Sequence, residues 1–152
     1  MKFGETDRID FDAMIEDLLE SEYLVIDILP ETAGEDDPER YFRIEKYFRE
    51  NRQITNDTYD RFSRLLLKLN MYFGFLLCDE TGTRRPDPGE LQDSVAACTC
   101  TGWENVLIPD EKTLITLSGG DLYMTVYNIS ERVRPVLEKL CASEGLFLRD
   151  PH

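Results

Sequence analysis

The residue types that carry most acid–base and nucleophilic chemistry are scarce in this chain. Its single histidine is His152, the last residue, and chain ends are seldom ordered enough to hold a catalytic group. Histidine is the commonest general base near neutral pH. Its absence elsewhere argues against Ser-His-Asp and Cys-His mechanisms and against typical zinc hydrolases. The sequence therefore predicts a non-enzymatic protein that uses no cofactor.

Two of the four cysteines, Cys98 and Cys100, lie close enough in sequence to bind the same metal ion. On a strand, both thiols would point to one face, which suits a bound metal or a thiol pair. A structural zinc site needs four ligands, so Cys78 and Cys141 would have to supply the others from distant elements. Both lie in apolar patterns typical of core packing. Packing is therefore favoured over metal binding at Cys98 and Cys100.

Asp27 interrupts the otherwise apolar segment YLVIDIL at residues 23–29. If this segment is a central strand, the carboxylate must be paired or hydrogen-bonded, because burying an unpaired charge is costly. Asp27 would then be the best candidate for a tuned acid or base in an enzyme that uses carboxylates alone. The alternative places Asp27 on an exposed face or edge, where a charge discourages aggregation. The sequence leaves both open.

Two further motifs could hold an anion but have simpler explanations. The residues SGGD at 118–121 lack the lysine and the following helix of a phosphate-binding loop. They are typical of a tight hairpin turn, because glycine tolerates positive φ. Arg84 and Arg85 could clamp an anion, but such pairs are usually solvated.

Negative charge is concentrated at the start of the chain. Residues 1–40 hold 14 acidic against 3 basic residues, within a formal net charge of −14. Such a surface steers a cationic partner, and it opposes nucleic acids and anionic membranes, whose phosphates are bound by Lys and Arg. The simpler alternative is a surface that only keeps the chain in solution. The candidate interaction surface comprises Asp12, Glu16, Asp17, Glu20, Glu35, Asp36 and Asp37.

The predicted compartment is the cytoplasm. The first ten residues, MKFGETDRID, contain no apolar core of a secretory signal. The longest apolar run, residues 71–78, is far shorter than the roughly 20 residues that span a membrane. Without export, the cysteines are expected to be reduced.

Hydrophobic periodicity predicts the elements that would position these side chains. Helices are predicted over 11–20, 38–50, 56–70 and 131–144, and strands over 23–29, 71–78, 103–108, 113–117, 122–127 and 146–149. Residues 79–90, with two prolines and two glycines, are predicted to form an exposed loop. Residues 91–101 fit either a helix or a strand.

Taken together, these elements predict one α+β domain over residues 1–152, beginning with an acidic helix within 1–22. The order resembles a ferredoxin-like βαββαβ sandwich with additional N-terminal helices, in which a mostly antiparallel single-layer sheet is covered by helices. This arrangement hosts many unrelated functions.

Three functions fit the sequence. The first is a non-enzymatic protein-interaction or regulatory domain, which binds a basic protein through its acidic surface or an aromatic patch. The second is a small-molecule-sensing module that binds a metabolite on a sheet face or in the groove of a homodimer. The third is a carboxylate-based enzyme that uses Asp27.

Overall fold

One seven-stranded antiparallel sheet organises the molecule, for which the computed structural model describes residues 5–152 and the side chains from residue 10 onward. All six strand pairings are antiparallel. The spatial order is β3-β2-β4-β5-β6-β1-β7. The strands are β1 (Tyr23–Asp27), β2 (Leu76–Asp79), β3 (Gly82–Arg84), β4 (Trp103–Ile108), β5 (Thr113–Ser118), β6 (Tyr123–Tyr127) and β7 (Phe147–Arg149).

Five helices accompany the sheet, and side-chain caps fix where several of them begin. Asp37, Asn51 and Asp87 each accept a hydrogen bond from a backbone N–H three residues ahead, which satisfies one of the free donors at a helix start. The helices are α1 (Glu5–Leu18), α2 (Pro38–Glu50), α3 (Arg52–Asn70), α4 (Pro88–Ala97) and α5 (Val133–Ser143).

The main core lies on one face of the sheet, beneath α3, α4 and α5. The stripe of α3 contributes Phe62, Leu66 and Leu69, which are fully buried. The adjoining strands contribute alternate residues such as Ile115 and Val126, because successive side chains on a strand point to opposite faces. This face is therefore closed by helices.

The opposite face is covered only in part. Helix α1 packs Ile15 and Leu18 against Leu76, Leu107 and Leu114, which belong to β2, β4 and β5. Helix α1 does not cover the half of the same face that β6, β1 and β7 form. That half forms the floor of the cleft described below.

The structure corrects several predicted boundaries. The acidic helix predicted within 1–22 is observed as α1, while residues 1–4 of that range lie outside the described residues. The run 71–78 is a strand only from Leu76. Residues 91–97 belong to helix α4, so the helical alternative for 91–101 is correct up to Ala97.

The predicted exposed loop at 79–90 is wrong in part, because Gly82–Arg84 forms β3 and pairs with β2. The Asp79 carboxylate accepts hydrogen bonds from the backbone N–H and hydroxyl of Thr81, at 2.9 and 2.6 Å. Gly82 has a φ of 121°, which few other residues tolerate. Local polar contacts thus close a hairpin in a segment whose composition is typical of a loop.

The α+β class with a mostly antiparallel sheet is confirmed, but the ferredoxin-like order is not, and the sheet is larger than a ferredoxin-like one. The β4-β5-β6 meander lies between β1 and β2, so the first two strands of the chain are separated in space. Within the described residues, no helix is long and apolar enough to cross a membrane.

Candidate ligand-binding cleft

An open cleft of about 820 Å³ lies over the β6-β1-β7 half of the sheet. Its floor consists of the strand residues on the face that α1 leaves uncovered. Helix α2, the turn that follows α1 (residues 19–21) and the segment that follows β1 supply its walls. The volume falls within the roughly 300–1,000 Å³ typical of small-molecule sites.

The floor is built from cross-strand pairs of β1 and β6. Tyr23 lies opposite Tyr127, and their ring centroids are 5.6 Å apart. Two positions along β1, Val25 lies opposite Thr125, and all four residues line the cleft. The register therefore places an aromatic pair beside a pair of smaller side chains, Val25 and Thr125. Tyr123 lines the cleft at the other end of β6.

Helix α2 forms the facing wall with residues at positions i, i+3, i+4 and i+7. Tyr41, Ile44, Glu45 and Phe48 all line the cleft, which is the spacing of one helix face. None of the residues of α2 is buried. The apolar side chains of α2 thus share one face, and this face borders the open cleft and not the core.

Gly34 allows the segment before α2 to pack closely against the Tyr41 side chain of α2. Its φ is +97°, and a Cβ atom at this position would lie 2.6 Å from Cγ of Tyr41. Any larger residue would displace the Tyr41 ring. The backbone at Gly34 therefore helps to set the position of an aromatic wall residue.

Asp27 lies on the cleft floor and is held by an arginine. The residue is 9% exposed, and Arg149 of β7 donates to its Oδ2 at 2.5 Å. The other carboxylate oxygen accepts from the backbone N–H groups of Ile28 and Leu29. Asp27 is therefore neither exposed nor on an edge strand, since β1 lies between β6 and β7. It is a paired, hydrogen-bonded carboxylate.

A second group of charged side chains, with longer ion-pair distances, lies where the hairpin of β5 and β6 approaches α2. The Arg49 guanidinium lies 3.8 Å from Glu45 and 3.7 Å from Asp121. The Glu45 carboxylate accepts a hydrogen bond from the Tyr41 hydroxyl at 3.1 Å. Burial raises the pKa of Asp121, and the charge of Arg49 opposes that shift.

The tyrosines of the cleft are partly removed from water. Burial is the main cause that raises the pKa of Tyr41, Tyr123 and Tyr127. They are therefore neutral at physiological pH. The hydroxyls of Tyr123 and Tyr127 form no hydrogen bond within residues 10–152, so they can still bind a ligand or water.

The predicted acidic interaction surface is split by the structure. Asp36 forms an ion pair with Arg40 at 2.9 Å, and Asp37 caps α2. These two carboxylates therefore act within their own segment. The remaining five are exposed and form no ion pair within residues 10–152: Asp12, Glu16, Asp17, Glu20 and Glu35.

The two candidate metal-binding cysteines do not face one site. Cys98 ends α4 and is buried, with its thiol donating to the carbonyl of Ser94, whereas Cys100 is exposed in the following turn. Burial raises the pKa of the Cys98 thiol to about 11. Within the described part of the chain, no cluster of three or more ligating side chains could hold a metal ion.

Sequence reasoning missed a pair of carboxyl groups on the helix-covered face, in which Glu104 is buried and Asp79 is partly exposed. Glu104 of β4 is 2% exposed. Burial, together with the hydrogen bond and charge of Asp79, raises the pKa of Glu104 to about 8. Burial alone would raise the pKa of Asp79, but hydrogen bonds from Glu104, Thr81 and Arg84 lower it to about 2.

This pair shares one proton at neutral pH, as closely placed carboxyls do when one of them is desolvated. A possible signal in the sequence was the alternation in WENVLI, which puts Glu104 on the same face as Val106 and Ile108. Because Glu104 is buried, this residue cannot contact a solute without opening of the fold.

Comparison of the chain with protein families, with curated proteins and with solved structures finds no match. The function is therefore inferred from the cleft itself.

Proposed function

We propose that the protein is a non-enzymatic binding module whose cleft takes a small amphipathic molecule. The observation that carries this proposal is the apolar face of α2, which borders the cleft and buries no residue. Helices on globular proteins usually bury such a face. A ligand seated against the floor would complete that burial.

The composition of the lining supports binding. Aromatic side chains supply floor and walls, while a few charged and hydroxyl groups stand at fixed positions, which is the usual make-up of a small-molecule site. The exposed rings of Tyr23 and Tyr123 are each 43% accessible. Covering them would stabilise the complex in proportion to the apolar area removed from water.

The charged groups of the cleft favour binding over catalysis. Asp27 already has Arg149 and two backbone donors as partners, so the carboxylate that would have to take up a proton as a general base is already engaged. Neither a histidine nor a cysteine is among the residues that line the cleft. These features argue against the carboxylate-based enzyme.

A ligand screen with two aromatic variants tests the proposal. Fragments and metabolites would be screened by thermal shift and protein-observed NMR against the wild type, Tyr123→Ala and Tyr47→Ala. Tyr47 is 61% exposed on α2 and does not line the cleft. We expect hits that lose affinity about tenfold in Tyr123→Ala and are unchanged in Tyr47→Ala. Hits insensitive to Tyr123, or none across a broad panel, would refute it.

A second candidate is a protein-interaction surface on α1 and the turn that follows it. Its support is that Asp12, Glu16, Asp17 and Glu20 are exposed and carry no ion pair within the described residues. Unneutralised charge of one sign steers a basic partner.

The test of this candidate compares two sets of four neutralisations. A co-purified basic protein should rebind in purified form, weaken steeply with salt, and lose affinity with neutralisation of the α1 set. A matched set elsewhere should leave binding unchanged. An equal loss of affinity in both quadruple variants would show that only the net charge of the chain matters, and would contradict a specific surface. The α1 set is Asp12, Glu16, Asp17 and Glu20; the control set is the exposed acids Asp60, Asp93, Glu131 and Asp150.

A further inference from the structure

Helix α2 is fastened to the rest of the molecule at its C-terminal end. Asn51 is the one residue between α2 and α3, and its backbone is extended. Its N–H donates to the carbonyl of Tyr47, and its side-chain oxygen accepts from the N–H of Ile54. The hydroxyl of Thr55 donates to the carbonyl of Phe48 at 3.0 Å. The last turn of α2 is therefore joined to the first turn of α3.

The helix on the other side of this joint is fixed. Phe62 and Leu66 of α3 are fully buried in the main core. The Tyr59 hydroxyl also ties α3 to the hairpin of β5 and β6, through the carbonyls of Ser118 and Asp121. Helix α2 itself packs chiefly against α3 and not against the strands of the cleft floor. A movement of α2 would therefore turn about Asn51 and leave α3 in place.

The segment that leads into α2 carries few restraints. Within the described residues, no backbone hydrogen bond joins residues 28–36 to another segment. A side-chain hydrogen bond of 3.3 Å, from Arg149 to the hydroxyl of Thr32, connects this segment to β7. Gly34 lies in it with a φ of +97°, and glycine is the residue with the widest choice of backbone conformations. The N-terminal end of α2 is thus free to move relative to the sheet.

Apolar side chains on both sides of the cleft remain partly in water. Ile44 of α2 is 50% exposed, and Tyr23 and Tyr123 of the floor are also exposed. Bringing such surfaces together is favourable because it removes apolar area from water. The charges that line the cleft do not oppose this approach, because three carboxylates match three guanidinium groups: Glu20, Asp27 and Glu45 with Arg40, Arg49 and Arg149.

We propose that α2 is a lid, which turns about Asn51 between the open position observed and a closed position against the floor formed by β1 and β6. This inference rests on the proposed function, because the molecule that the lid encloses is the ligand of the cleft. Closure of this kind excludes water from a bound ligand and controls its release. The ion pair of Arg49 with Asp121, at 3.7 Å, lies near the pivot, where rotation displaces atoms least.

The test traps the closed position with a disulfide. Ile44→Cys and Thr125→Cys put one thiol on α2 and one on the floor, in a Cys100→Ser background that removes the exposed native cysteine. A disulfide requires Cα atoms within about 7 Å of each other. The control pair is Phe42→Cys with Thr125→Cys, because Phe42 is exposed on α2 and does not line the cleft. Under mild oxidation, we expect the first pair to cross-link about tenfold faster than the control pair.

Hydrogen exchange distinguishes a moving helix from an unfolded one. In the cross-linked protein, the amides of α2 should exchange about tenfold more slowly than in the reduced protein, because the closed helix packs against the floor. Faster exchange would mean that α2 had unfolded to form the disulfide, and would refute the lid. A second pair, Ile44→Cys with Tyr23→Cys, spans the same cleft and replaces the first if that variant does not fold.

The outcomes separate the lid from the function on which it rests. If neither pair cross-links, or if the control pair cross-links as fast, the lid is refuted and the ligand screen still decides whether the cleft is a binding site. If the disulfide forms and slows the exchange of α2, the lid is supported, whatever the screen finds.

Discussion

Asp27 and Glu104 are both buried carboxyl groups on strands, but their partners differ. Asp27 contacts a guanidinium group, whereas Glu104 lies beside another carboxyl group. Arg149 compensates the charge of Asp27. Glu104 instead faces Asp79, so it retains its proton and donates to that carboxylate. One Oε atom of Glu104 has no hydrogen-bond partner, which adds to the cost of burying the group.

The raised pKa of Glu104 predicts a pH dependence of stability. Between its ordinary pKa of 4.5 and its folded pKa of about 8, the folded protein binds a proton that the unfolded chain has released. The free energy of unfolding should therefore fall as pH rises through this window, by at most about 1.4 kcal/mol per pH unit from this group. Glu104→Gln should remove this slope, as measured by urea unfolding at several pH values.

Glu138→Gln is the control for that measurement, because Glu138 is exposed and forms only a surface pair with Arg134. Its pH profile should match the wild type. An unchanged slope in Glu104→Gln would show that Glu104 ionises normally in the folded protein.

Tyr59 fixes the β5–β6 hairpin, whose turn carries Asp121 to the cleft. Its hydroxyl donates to the backbone carbonyls of Ser118 and Asp121, at 3.1 and 2.8 Å. Tyr59→Phe should lower the free energy of unfolding by about 1 kcal/mol, because the Asp121 carbonyl loses this donor, whereas the Ser118 carbonyl still accepts from the backbone N–H of Asp121. Chemical denaturation would check this value. Tyr72→Phe, at a residue 63% exposed, should have no measurable effect; equal effects would contradict the role of the contact.

At the scale of elements, α2 and α4 have similar caps but different surroundings. Asp37 caps α2 and Asp87 caps α4, each through one hydrogen bond to a backbone N–H. Helix α4 buries Leu91 and Val95 in the main core, whereas α2 buries nothing. Helix α2 should therefore open locally, while α4 opens only with the whole fold.

This contrast predicts different results for the same substitution. Each cap contributes about 1 kcal/mol. Asp87→Ala should lower the unfolding temperature by about 2–4 °C. Asp37→Ala should change it less and instead speed the hydrogen exchange of the α2 amides, measured by mass spectrometry. Equal exchange rates in α2 and α4, or equal thermal shifts in both variants, would mean that α2 is as firmly integrated as α4.

For the whole molecule, net charge sets a cost that salt can relieve. A net charge of −14 on 152 residues repels itself in the compact state. Raising ionic strength from about 0.01 M to about 0.15 M shortens the screening length from roughly 30 Å to 8 Å. The thermal unfolding temperature should rise over that range.

Neutralising Asp12, Glu16, Asp17 and Glu20 should raise the unfolding temperature at low salt and reduce its salt dependence. Asp17 also lies in the last turn of α1, where the helix dipole disfavours a negative charge. Scanning calorimetry at two salt concentrations measures both effects. A quadruple variant less stable than the wild type would mean that these carboxylates make stabilising contacts.

The elements that repeat a clear pattern were predictable. The helix at 38–50 and the strand at 103–108 have the predicted bounds, because a proline after an N-cap aspartate and an alternating strand pattern are local signals. The helix predicted from residue 56 begins at Arg52, four residues earlier, because Asn51 caps it. The first turn of this helix lies before the apolar repeat begins, so hydrophobic periodicity does not indicate where the helix starts.

The sequence by itself determined the α+β class, most helices and strands, and the surplus of negative charge, since these depend on near neighbours and on composition. The tertiary structure alone decided that Arg149 lies beside Asp27, 122 residues away along the chain. It also decided that α2 faces a cleft and that Asp79 meets Glu104. Such contacts follow from the order and register of the strands, and the energy that selects that order is summed over the whole sheet and is not encoded in any one segment.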